Sequence, residues 1–168
     1  MTISMYQASV PVFNQMMRSL VDILKKAVVD AEKRKIDPSV LINSRLFPDM
    51  LPLVKQIQIA SDTAKGCVSR LAGMEPPVFE DNETSFADLT DRLERTIELL
   101  KTIKMEQVDG SEDKTIAITF RGSTSSYQGL PYLLHRSLPN FFFHVTTAYA
   151  ILRHNGLEIG KADYIGTF

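Results

Sequence analysis

Three histidines, His135, His144 and His154, and one cysteine, Cys67, carry most of the ligating and nucleophilic chemistry this chain offers. His144 stands in a strongly apolar run, directly after Phe141-Phe142-Phe143, with Asn140 one helical turn before it and Thr147 nearly one turn after. On a helix that spacing places imidazole, amide and hydroxyl on one strip. An imidazole with an ordinary pKa of about 6.5 can move a proton near neutrality or orient a ligand. The strip admits two interpretations: a buried histidine satisfied by its neighbours, or a small-molecule pocket between aromatic walls. His135 falls on the far side of an ideal helix from His144, about 180° away, so the two do not share an ion. His154 joins Arg153 at a helix end, where positive charge suits the carbonyl terminus. Cys67 reads as a buried, inert thiol on the flank of a core face. Asp62 and Lys65, three apart, read as a solvated pair. Gly-rich phosphate loops, a His-Glu-x-x-His zinc motif and a nucleophile elbow are all absent from the sequence.

These side chains need helices to hold them, and the apolar spacing supplies four long ones. Phe13, Met16, Met17, Leu20, Leu24, Ala27, Val28 and Ala31 recur every three or four residues and predict a helix from Val12 to Arg34, with Pro11 in its first turn. Asp37-Pro38 starts a short helix reaching about Ser44. Asp49 is expected to cap a second long helix striped by Val54, Ile57, Ser61, Ala64, Val68 and Leu71, ending at Gly73 and Pro76-Pro77. Ser85 and Asp88 resemble a capping box for a third, carried by Phe86, Leu89, Leu93, Ile97, Leu100 and Ile103.

Between Lys114 and Phe120 the period changes to two. Ile116, Ile118 and Phe120 on one side predict a small β-hairpin over 114–127 that turns at Arg121-Gly122. A fourth long helix runs from Pro131 to His154, bent or restarted at Pro139 and stopped by Asn155-Gly156. It is apolar almost all round from Phe141 to Leu152, and is expected to be the most buried. The segment 157–168 lacks helical period and reads as an extended tail packed back through Ile159, Tyr164, Ile165 and Phe168.

Composition narrows the function classes. The chain has 168 residues, 44% hydrophobic and 23% charged, which suits a single helical domain over 1–168 with a sizeable core. Its 19 Lys+Arg against 20 Asp+Glu leave a net charge of -1, so no electrostatic attraction to nucleic acid is expected. No apolar stretch approaches the roughly 20 residues that span a bilayer, so no membrane partner is expected. The opening residues lack a signal-peptide pattern, and one cysteine forms no internal disulfide; both fit a cytoplasmic protein.

The run Leu138-Pro139-Asn140-Phe141-Phe142-Phe143-His144-Val145-Thr146-Thr147-Ala148-Tyr149-Ala150-Ile151-Leu152-Arg153-His154-Asn155-Gly156 resembles a bacterial family of unknown function in the DinB/YfiT-like superfamily. So do the opening Met5-Tyr6-Gln7-Ala8-Ser9-Val10-Pro11-Val12-Phe13 and Leu46-Phe47-Pro48-Asp49-Met50. The resemblance implies an all-α, DinB-like four-helix bundle with a long crossover, often a homodimer. In many members three histidines hold a metal between helices, and some members are thiol-dependent transferases or hydrolase-like metalloenzymes.

By that resemblance Asn140 and His144 occupy the two histidine positions of the last helix. Gln58, or alternatively Gln56, falls where the third ligand would come from. Amide oxygens suit hard, oxygen-loving ions better than zinc or nickel. A degenerate metal site without metal or cofactor is therefore expected, its ligand pocket formed by Asn140, His144 and Gln58 and taking an unknown small molecule. The alternative implied by the resemblance is a metal- or thiol-dependent transferase or hydrolase that uses His144.

Overall fold

A computed structural model describes residues 3–120 and 122–167, apart from the side chain of Phe120. In chain order, α1 (Val10–Arg34), α2 (Pro38–Ile42), α3 (Leu53–Leu71), α4 (Phe86–Thr102) and α5 (Met105–Val108) precede strands β1 (Thr115–Phe120) and β2 (Ser123–Gln128). Then come α6 (Gly129–Pro131), a π-helix at Tyr132–Ser137, α7 (Leu138–His154) and α8 (Lys161–Ile165). Both α1 and α3 pack on α4 and α7. They therefore take opposite corners of a four-helix bundle, and residues 35–52 form the long crossover between them. None of the described helices is long and apolar enough to cross a membrane.

The predicted stripes become the core. Phe13 and Leu24 of α1, Ile57 and Val68 of α3, Leu93 of α4 and Phe141 of α7 are buried in one cluster. Phe13 meets Phe141 edge to face, with centroids 4.8 Å apart. Such a pair contributes about 0.5–1.5 kcal/mol beyond its area burial. The Ser85 capping box is formed: the Asp88 amide donates to Ser85 Oγ at 3.1 Å, and the Ser85 amide donates to Asp88 Oδ2 at 2.9 Å.

Several expectations change. Asp49 does not cap α3, which starts after Pro52, whose missing N–H and fixed φ suit a helix entry. The most enclosed helix is α3, with 13 of its 19 residues buried, because besides α4 and α7 the π-helix, α2 and α5 pack on it. α7 has 7 of 17 buried, and Phe143 is 56% exposed. The helix expected to bend or restart at Pro139 widens to π geometry just before it, at Tyr132–Ser137, and Pro139 sits in the first turn of α7, where its missing N–H costs little. The hairpin pairs Thr115↔Gln128 through Phe120↔Ser123, with Ile116 buried. The expected turn residue Arg121, the side chain of Phe120 expected on the same side as Ile116, and the packing of Phe168 lie outside the described residues. The tail is not wholly extended: α8 forms one turn, closed by Asp163 accepting from the Gly160 amide at 2.7 Å and paired with Lys26. Ile159 is buried as expected, whereas Ile165 is 39% exposed.

Candidate functional site

The face of α3 turned to α7 carries two polar pairs. His144 is buried, and its Nδ1 lies 2.7 Å from Gln56 Oε1. The Gln56 amide nitrogen donates to the Leu51 carbonyl at 2.8 Å, which turns its oxygen toward the histidine. Nδ1 must then carry the proton, leaving Nε2 with a lone pair. Burial pushes the His144 pKa below its ordinary value and keeps the ring neutral. One turn earlier, Asn140 donates from Nδ2 to Thr63 Oγ1 at 2.8 Å. Thr147 takes no part, because its hydroxyl donates to the Phe143 carbonyl at 2.7 Å.

Gln58 is the correction. It was expected beside Asn140 and His144, but its amide donates to Glu83 Oε2 at 2.7 Å on the side of α3 facing α4. Two residues turn a helix through about 200°, so Gln56 and Gln58 point to opposite sides. There Glu83 also accepts from Arg92 at 2.8 Å, and Arg92 donates to Asp62 at 2.8 Å. Burial raises the Glu83 pKa, but the hydrogen bonds from Arg92 and Gln58 more than offset it, so the carboxyl titrates below its usual range. Asp62 and Lys65 are not a solvated surface pair: Lys65 is buried, and both belong to this cluster.

Asn140 also borders a cleft of about 650 Å³ between α3, the π-helix and β1. Asp62, Thr63, Arg70, Tyr132 and Arg136 line it with Asn140. His135 is on its wall as well, apart from the His144–Gln56 pair. The cleft is absent from the sequence expectations because it depends on the π-turn, which changes where residues 132–137 face. Its one local trace is Gly66, an interior helix glycine one turn before Arg70. Cys67, immediately after it, is fully buried, and burial pushes its thiol up to about 12 against the opposing Ser137 hydrogen bond. A protonated, enclosed thiol is no nucleophile.

The donor set does not fit the three-histidine metal of the superfamily. Among the described residues no three His, Cys, Asp or Glu side chains are grouped so that they could hold a metal ion. The groups nearest His144 and Asn140 are an amide and a hydroxyl, poor ligands for zinc or nickel.

Residues 5–165 match the family described as Domain of unknown function (DUF1993). No curated protein matches the chain. The fold is similar to the crystal structure of a DinB family member protein from Shewanella denitrificans. The two are 39% identical, over 97% of this chain and 92% of that one, with a TM-score of 0.89.

Proposed function

The chain belongs to the DUF1993 family, and from that premise we propose that it binds a small molecule in an inter-helical pocket at a degenerate metal site. Asn140 carries this reading, because it is both a member of the polar seam, through Thr63, and a wall of the adjoining cleft. Its neighbour His144, oriented by Gln56 and kept neutral by burial, closes the seam one turn along. The cleft volume is in the range of about 300–1,000 Å³ typical of ligand sites. A near-neutral chain fits a small-molecule partner better than nucleic acid. Homodimeric assembly belongs to the same proposal, since the exposed Phe143 ring beside His144 is surface a second copy could cover; sedimentation equilibrium at micromolar concentration should give twice the chain mass.

Binding is tested by releasing bound molecules from purified wild type and from Asn140→Trp, whose indole fills the cleft. Wild type should carry a stoichiometric small molecule, or gain thermal stability from members of a metabolite library, and the variant should do neither. Equal behaviour of the two proteins would overturn the reading. One observation favours a second reading, catalysis by His144: Leu51 holds Gln56, and Gln56 orients the imidazole, as a general base requires. It predicts turnover that His144→Gln abolishes while ligand binding persists.

A further inference from the structure

We propose that the ligand of this cleft is an organic anion, a carboxylate or phosphate ester with an apolar body, held by Arg70 and Arg136. The inference rests on the ligand-binding reading above and names the chemical class.

Charge balance along α3 is the first support. On the side facing α4, Lys55 pairs with Asp81 at 2.9 Å, Arg92 with Glu83 at 2.8 Å, and Lys65 with Asp62. Three cations meet three carboxylates. Asp62 also borders the cleft, but its Oδ1 is held by both Lys65 and Arg92, so its charge is already answered. Arg70 and Arg136 have no carboxylate within ion-pair distance among the described residues. Each instead donates to a phenol: Arg70 to Tyr132 at 3.4 Å and Arg136 to Tyr127 at 3.1 Å.

The direction of the hydrogen bonds is the second support. Thr63 Oγ1 accepts from Asn140, so its hydroxyl proton remains to be donated, while Tyr132 Oη accepts from Arg70 and also meets Ser137. Two guanidinium groups and the Thr63 hydroxyl thus border one cleft, an arrangement complementary to carboxylate or phosphate oxygens. Tyr132 is itself only 3% exposed, so this is a built wall rather than loose surface.

The placement of Arg70 is the third. A Cβ at Gly66 would approach Arg70 Nη1 to 2.6 Å, so the guanidinium folds back over the helix at the one position where no side chain stands. An interior helix glycine destabilises the helix relative to alanine, and here it clears the space for a cation. Arg136 is held over the Tyr127 ring, 5.2 Å from its centroid. Ile59 and Ile118 supply the apolar wall for the rest of the ligand.

Thermal unfolding at constant ionic strength, titrated with benzoate, phenyl phosphate and the neutral benzyl alcohol, tests the proposal. Benzoate or phenyl phosphate should raise the melting temperature saturably, the stronger of the two telling carboxylate from phosphate, while benzyl alcohol should not. Arg70→Gln and Arg136→Gln should each weaken the apparent affinity about tenfold or more. Lys33→Gln, an equal charge change on α1, should leave it unaltered. Arg136 is exposed, so its variant folds whatever happens at Arg70. An anion response unchanged in both arginine variants, or an equal loss in Lys33→Gln, would overturn the proposal. A benzyl alcohol response that Asn140→Trp removes would overturn the anion assignment and leave small-molecule binding standing. If no molecule in these trials or in the metabolite library distinguishes Asn140→Trp from wild type, both fail.

Discussion

Helix α3 carries polar side chains on two faces, and they are used in opposite ways. Toward α4, Arg92 is 1% exposed and is met by Glu83, Asp62 and the Glu80 carbonyl, while Ser61 and Thr96 share a buried bond of 2.8 Å. This face is closed and charge-matched, and it ties the connection after α3 back to the bundle. Toward α7 and the π-helix, hydrogen bonds are satisfied in pairs, but the cations are not matched and a cleft is left open. A buried charge answered inside the protein holds the fold; a preorganised charge left unanswered beside a cavity is available to a partner.

The largest effect should come from the closed face. Arg92→Met leaves Glu83 buried without its charged partner and should lower unfolding free energy by about 3–5 kcal/mol in urea titration, whereas Arg70→Gln should cost under about 1 kcal/mol. Equal costs would remove the distinction between the faces. Next is Gln56→Leu, which strands the Nδ1 proton of buried His144 and should cost about 1–3 kcal/mol. The double variant Gln56→Leu/His144→Leu should recover much of that, because neither polar group is then left alone. A double variant as unstable as the sum of its singles would show that the pair is not coupled.

Smaller, and opposite in sign, is Gly66→Ala. Its new Cβ meets only the end of a flexible arginine, so stability should rise by up to about 1 kcal/mol, while affinity for benzoate or phenyl phosphate should fall as Arg70 is displaced. A variant that is neither stabilised nor impaired in anion response would mean that Gly66 does not set the position of Arg70. Least in size is a pH effect from His144. Its folded pKa lies below the ordinary value of 6.5, so the unfolded state binds the proton more readily. Stability is therefore complete above pH 6.5 and declines as pH falls from there through the lowered folded value. Denaturation midpoints across that window should lose this slope in the Gln56→Leu/His144→Leu double variant, and a slope kept unchanged would assign it to other groups.

Periodicity was enough for the frame. The three-and-four spacing of Phe13 to Ala31, the capping box at Ser85 and the alternation around Ile116 each describe a few turns or a few residues of chain, and local sterics and hydrogen bonding decide such stretches. The resemblance carried by the Leu138-to-Gly156 run points to the bundle and to His144. Nothing local distinguishes Gln56 from Gln58, however, since both are glutamines on the same helix and only the neighbours on each side assign their roles. The same holds for Asp62 and Lys65, which read as a surface pair until Arg92, on a different helix, buries the cluster. The cleft depends on residues from α3, the π-helix and β1, and on the widened turn ahead of Pro139. Side-chain spacing encodes which face of one helix is apolar; which charges are answered, and which are left facing open space, depends on contacts across distant parts of the chain that exist only once the helices have packed.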